Sequence, residues 1–395
     1  MKKQFLYSAD ILLPKKDFEK WSVIACDQYT SEPEYWSETE KIVGQSASAL
    51  RIILPEVYLT DDDSEKIAQI NKNMVDYLNS DVFDSFEDTM IYTKRTLKNG
   101  AERHGIVGLI DLEDYSYQKG ADTPIRATEQ TVIERIPPRV AIRRDASIEL
   151  PHVMLLIDDE KRMVIEPVSE NCENYKKLYD FDLMQNAGHI CGYALSAEAK
   201  ENLQSALESL YNASEDGLLF AVGDGNHSLA SAKECYRQGC GPRYALVEVV
   251  NIHDYSLEFE PIYRVVFGAE QKLIDDFMAY CGKSTDSSAQ KFICINGETE
   301  TQVSLNPKGT LPVATLQGFL DDYIKDTDMK IDYIHGIENV KKLCKRENAI
   351  GFIFDGMEKN QLFEAVANDG SLPRKTFSMG HADDKRFYLE ARKIK

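Results

Sequence analysis

The residues best suited to chemistry stand in one run, Gly223-Asp224-Gly225-Asn226-His227-Ser228, between an apolar stretch (Gly217 to Val222) and a helix-forming one (Ser228 to Arg237). Two glycines allow a tight turn, and a helix starting there leaves its first N–H groups without partners inside the helix. Such amides make a ready-made anion site beyond the strand. A plainer reading also fits these residues: a strand-to-helix turn in which Asp224 or Asn226 is simply the N-cap.

Other polar clusters could join that turn. Asp27 ends the apolar run Trp21 to Cys26, followed by Gln28-Tyr29-Thr30-Ser31-Glu32, which would set several hydrogen-bonding groups at one rim. Taken alone, the same residues are explained by Thr30 or Ser31 capping a helix that begins at Pro33. In Arg126 to Arg135, two guanidiniums could clamp an anion while Glu129 polarises a hydroxyl; from spacing alone, one solvated helix over Thr128 to Arg135 explains them better. His189 opens a strand, where a surface or hydrogen-bonded histidine is commoner than a ligand. Lys375, in the basic tail Leu372 to Thr376, could fold back onto an anion.

Composition narrows the function classes. Over 395 residues the formal net charge is −20, and that excess of carboxylate repels a phosphate backbone, which argues against nucleic-acid binding. No run of about 18 apolar residues is present, so no membrane span is expected. The opening Met1-Lys2-Lys3 meets Asp10 before an apolar leader could form, which reads as an unexported, cytoplasmic chain. The eight cysteines include no C-x-x-C pair, consistent with reduced thiols; Cys235 and Cys240 lack a second pair or a histidine at zinc-finger spacing.

These groups need a scaffold, and the hydrophobic pattern supplies a mixed α/β one. Strands are expected at Ala49 to Pro55, in a hairpin of Thr89 to Thr93 with His104 to Asp111, and in a second hairpin over Val153 to Ile165. His189 to Leu195 reads as a strand fed by a loop at Asp180 to Asp182, and Ser196 caps a helix running to about Tyr211. Strands at Tyr244 to Val250 and Glu260 to Phe267 follow. Helices and short strands beyond Gly268 suggest a second α+β unit, giving 1–267 as a core and 268–395 as a C-terminal domain.

Together these segments make the chain resemble the DUF1015 family, through Trp21 to Glu32, Arg126 to Arg135, the His189 region, Gly223 to Ala230, Pro261 to Val266 and Leu372 to Thr376, in family order. The family's Ala-Asp-Gly-His-His-Arg-Tyr stands here as Gly223-Asp224-Gly225-Asn226-His227-Ser228-Leu229. Its His-Glu-x-Thr appears as Thr128-Glu129-Gln130-Thr131, and its Thr-His-Arg-Val as Ile262-Tyr263-Arg264-Val265. The turn is also similar to the phosphate-cradling motif of the ParB/sulfiredoxin superfamily, one member of which is an ADP-dependent kinase for free serine. The resemblance implies a ParB/sulfiredoxin-like core with antiparallel insertions, ADP or ATP phosphates on the Gly225 to Ser228 amides, and phosphoryl transfer to a small hydroxyl compound. In that scheme His227 steadies the transferring group, Asp27 or Glu129 orients the acceptor, and Asp224 contacts ribose or Mg2+. The family's arginine is Ser228 here, so Arg126, Arg264 or Lys375 must supply the missing charge. Otherwise turnover is lost, leaving a binding protein that regulates by nucleotide or metabolite.

Overall fold

Side chains alternate across a strand. In Tyr244–Asn251, Ala245, Val247 and Val249 join one apolar cluster while Leu246 joins a second. The neighbouring Ile91–Thr96 and Glu102–Asp111 behave alike: Tyr92, Ile106 and Ile110 face the first cluster, and Ile91, Val107 and Leu109 the second. A sheet covered on both faces follows. In the computed structural model, which describes residues 3–395 except Val132, Glu134, Arg135 and Glu347, this sheet has nine strands. Their order is Lys176–Asp182, His189–Ala194, Ile91–Thr96, Glu102–Asp111, Tyr244–Asn251, Met154–Ile157, Phe220–Asp224, Ile125–Ala127 and Tyr115–Ser116. The first five are antiparallel, and the rest mix parallel and antiparallel pairing. Helix Ala197–Ala213, capped by Ser196 through a hydrogen bond from the Ala199 N–H (3.1 Å), packs Leu203 and Leu207 onto the first cluster.

The chain divides into two compact units: Met1–Ala127 with Thr131–Leu257 and His381–Lys395, and Thr128–Gln130 with Glu258–Gly380. The division expected at 267/268 therefore falls earlier, after Leu257, and the end of the chain returns to the first unit. The second unit is an antiparallel sheet, in the order Thr299–Leu305, Gln290–Asn296, Ala349–Phe354, Phe259–Phe267 and Lys330–His335. Its helices include Gln271–Cys281 and Pro312–Ile324, and Phe277 meets Phe292 and Phe352 edge-on.

Four expected elements differ. Ala49 to Pro55 is a 3-10 turn over Ala49–Arg51, because Ser48 Oγ caps the Leu50 N–H (3.2 Å). The hairpin over Val153 to Ile165 keeps only Met154–Ile157: Asp159 Oδ2 accepts the N–H groups of Met163 (2.6 Å) and Val164 (2.8 Å) and turns the chain into the helix Glu166–Glu170. Thr128 to Gln130 is extended rather than helical, since its backbone pairs with Leu372, whose N–H donates to Thr128 O (2.7 Å). Lys176–Asp182, read as part of a loop, is a strand.

One buried polar network holds the first unit's closing segment. Arg386 donates to Glu248 Oε2 (2.6 Å), Glu390 Oε2 (2.6 Å) and Pro151 O (3.0 Å), all three charged side chains being almost wholly buried. Glu248 also accepts from Thr93 Oγ1 (2.8 Å), and Gly105 makes room for it: a Cβ there would lie 2.3 Å from Glu248 Oε1. Beside it, the guanidiniums of Arg95 and Arg103 donate to backbone carbonyls of Asp383, Asp384 and Lys385. Burial, then the charge of Arg103, draws Arg95 down to about 9.

Removing one member of a buried ion cluster strands the others. Arg386→Met is expected to lower unfolding free energy by about 3–5 kcal/mol in urea titrations, with Glu248 and Glu390 left uncompensated. Burial would raise the carboxyl of Glu248, but Arg386 prevails and holds it below its ordinary value of 4.5. Its stabilising contribution is therefore full above pH 4.5 and is lost as pH falls through the lower folded value. The urea midpoint of the native chain should fall with pH below 4.5, and less steeply in Arg386→Met.

Candidate functional site

The strand Phe220–Asp224 passes into the helix Asn226–Arg237 at Gly225, which takes φ 79° and ψ 26°. Both turn glycines answer to close approach. A Cβ on Gly225 would lie 3.0 Å from Val153 Cα, and one on Gly223 would lie 2.8 Å from Leu156 Cγ. Gly225 is the N-cap and no side chain caps the helix, so the capping role open to Asp224 or Asn226 is not taken. Instead Asp224 Oδ1 accepts the Gly225 N–H (2.9 Å), and Oδ2 lies 3.5 Å from Lys385 Nζ. Asn226 Oδ1 is buried with no hydrogen-bond partner among the described residues. Leu229 N–H donates to Gly225 O (3.0 Å) and Ser231 Oγ to His227 O (2.7 Å), fixing the first turn in which His227 and Ser228 are half-buried.

A chain of contacts leads from this turn to Asp27. A Cβ on Gly225 would be 3.3 Å from His152 Cδ2; His152 Nδ1 is 2.9 Å from Tyr388 Oη; and Tyr388 Oη donates to Cys26 Sγ (3.2 Å) while receiving the Cys26 N–H (3.3 Å). Asp27 follows directly and accepts from Gln28 Nε2 (3.0 Å). Burial pushes the Cys26 thiol up to about 12, with the Asp27 charge adding to it, and raises the Tyr388 phenol well above its usual range. Both stay protonated near neutrality, so Tyr388 is a hydrogen-bond donor and positioner here and Cys26 no nucleophile.

Arg126 is buried in the strand Ile125–Ala127, where it donates to Thr123 O (2.8 Å) and to Asp216 Oδ2 (2.5 Å) and O (2.7 Å). Asp216 precedes the strand Phe220–Asp224, while the turn follows it. Arg135 lies outside the described residues. Glu129, Arg264 and Lys375 belong to the second unit. There Arg264 is fully buried, donates to Gln317 Oε1 (2.7 Å), Ile262 O (2.6 Å) and Arg374 O (3.2 Å), and sits 4.6 Å over the Tyr333 ring. Burial draws its guanidinium down to about 10, against the pull of Tyr333 and Glu129. Lys375 is exposed, 5.7 Å from the same ring.

The cation at Asp224 is thus Lys385, which sequence reasoning missed together with His152 and Tyr388. No local signal marks them, because antiparallel pairing of Phe387–Tyr388 with Val23–Ile24 brings them in. A groove of about 630 Å³ in the first unit, lined by Tyr117, Pro137, Arg144 and Glu234, runs past the other end of the helix Asn226–Arg237.

The model of a family described as a protein of unknown function (DUF1015) matches residues 8–323. No curated protein matches the chain. Among solved structures, a free serine kinase mutant in complex with ADP is similar at 12% identity, over 73% of this chain and 92% of that one, with TM-score 0.41. A conserved hypothetical protein from Pyrococcus furiosus is similar at 13% identity, over 73% and 95%, with TM-score 0.37. C-terminally truncated SbnI from Staphylococcus aureus is similar at 10% identity, over 69% and 82%, with TM-score 0.38.

Because Gly225 needs both a positive φ and a bare Cα, Gly225→Ala should cost about 1–3 kcal/mol of unfolding free energy in thermal or urea melts. Gly239→Ala, also at positive φ but with nothing within 4 Å of its Cβ, should cost less.

Proposed function

The chain belongs to the DUF1015 family of proteins of unknown function, and on that footing we propose that its Gly225 to Ser228 turn binds the phosphates of a nucleotide, ADP or ATP, or of a phosphorylated metabolite, and supports phosphoryl transfer to a small hydroxyl compound such as a hydroxy-amino acid. The observation that carries the reading is the uncapped helix start at Gly225, with the unpartnered buried Asn226 Oδ1 and the Lys385 ammonium beside it. Amides at a helix start and an ammonium recognise phosphate oxygens, and a buried amide oxygen suits a ligand hydroxyl or amine. Lys385 takes the place of the charge that Ser228 lacks.

In transfer, the acceptor hydroxyl oxygen forms the new O–P bond, the O–P bond to the nucleotide breaks, and the hydroxyl proton passes to a carboxylate, for which Asp27 is the residue proposed. His227 and Lys385 would offset charge on the transferring group. Mg2+ does not fit Asp224 as it stands: Oδ1 is held by the Gly225 N–H and Oδ2 faces Lys385. No step is routed through it. Glu129 remains proposed as the alternative acceptor-orienting carboxylate and Lys375 as an alternative phosphate cation, while Arg264, fully buried on Gln317 and backbone carbonyls, and Arg126, tied to Asp216, support the sheets that carry them. A second reading, binding without turnover, is favoured by Ser228 and by the Asp224–Lys385 pair.

Calorimetric titration with ADP, ATP and pyrophosphate should detect binding. Lys385→Met should weaken it roughly tenfold to hundredfold, the scale of a charge-assisted hydrogen bond at about 1.5–3 kcal/mol. Phosphorus NMR with a panel of hydroxy-amino acids then separates the readings: a phosphorylated product lost in Asp27→Asn, with nucleotide affinity kept, supports transfer. Binding without product supports the regulatory reading, and absence of binding to every nucleotide and phosphorylated metabolite sinks both. Ser228→Arg should tighten nucleotide binding.

A further inference from the structure

The hairpin of Lys176–Asp182 and His189–Ala194 opposes Asp182 to His189 and Asp180 to Cys191. Residues two apart on a strand share a face, so two carboxylates, an imidazole and a thiol form a square on one side of the hairpin. Their donor atoms converge. His189 Nε2 is 2.8 Å from Asp180 Oδ1 and 3.4 Å from Cys191 Sγ, and the three ligand atoms lie within 4.8 Å of one another. The other ring nitrogen, His189 Nδ1, is 2.7 Å from Asp182 Oδ1.

We propose that Asp180 Oδ1, His189 Nε2 and Cys191 Sγ hold a single zinc-like divalent transition-metal ion, with Asp182 orienting His189 through Nδ1. Thiolate, imidazole and carboxylate are the donor types zinc takes, and three protein ligands leave a fourth position for water. A carboxylate on the far nitrogen is what metal-bound histidines commonly carry, because it fixes the tautomer that presents the other nitrogen. Lys177 does not fill the site: its ammonium pairs with Asp180 Oδ2 (2.7 Å) and leaves Oδ1 to His189. Cys191 is 7% exposed while the His189 and Asp180 side chains are 35% and 41% exposed, so the thiol forms the floor of a site open to solvent. On binding, the Cys191 proton leaves to solvent and the S–metal bond takes its place, with no change of oxidation state. The cluster shares no residue with the phosphate-binding reading and does not depend on it.

The test is a Co2+ titration of the chelator-treated full chain, followed by sulfur-to-cobalt charge-transfer absorption and then by displacement with Zn2+. One equivalent should bind with a thiolate band that Cys191→Ser abolishes and Cys235→Ser leaves intact. Asp182→Asn should weaken Zn2+ binding about 10–100-fold, as loss of an orienting carboxylate does. His189→Gln, at a partly exposed position, carries the same test should Cys191→Ser fail to fold, and should weaken binding at least as much. No thiolate band in the native chain, or Zn2+ affinity unchanged in His189→Gln, would overturn the proposal and leave His189 as a bridge between two aspartates.

Discussion

The buried guanidinium of Arg386 is the interaction on which the first unit's chemistry depends. Taking an arginine and two glutamates out of water is costly unless each is paired, and Arg386, Glu248 and Glu390 meet that condition only in one arrangement of the chain end. Glu248 sits mid-strand in the nine-stranded sheet, and Gly105 on the adjacent strand exists as a glycine because the glutamate occupies the space of a Cβ. The network fixes the register of the closing segment, so Lys385 falls at Asp224 and Tyr388 at His152.

That arrangement changes what the glycine turn means chemically. A strand-to-helix turn that presents helix-start amides has affinity for anions of many kinds. With an ammonium 3.5 Å from Asp224 and a buried amide oxygen lacking a donor, it acquires polarity in two senses, a positive side for phosphate and an acceptor for a hydroxyl or amine. Cys26 and Tyr388, whose protonation is strongly favoured, owe it first to burial. They form a protonated, hydrogen-bonded wall beneath the turn rather than a reactive pair.

The two units treat arginine differently from what charge-counting suggests. Arg126 and Arg264 looked like phosphate ligands because guanidinium suits phosphate. Both are buried and held by the chain's own acceptors, Arg126 by Asp216 and Arg264 by Gln317 and three backbone carbonyls. An arginine between apolar neighbours in a strand must find its acceptors within the fold. Lysine, a flexible point charge, is the cation left at the turn.

The sequence by itself determined the elements whose signals are local. The turn glycines, the Ser196 cap and the strands Tyr244–Asn251 and Phe259–Phe267 were all legible from propensity and hydrophobic period. The hairpin square was not, because Asp180 to Asp182 read as a loop and only as a strand do Asp180-x-Asp182 and His189-x-Cys191 alternate onto one face. Only the tertiary structure decided which distant groups meet. Leu372 pairing with Thr128 replaced an expected helix, and the returning chain end supplied Lys385, His152's partner Tyr388 and Arg386. Such contacts join residues far apart in the chain, and their free energy lies in burial and pairing that no local pattern encodes.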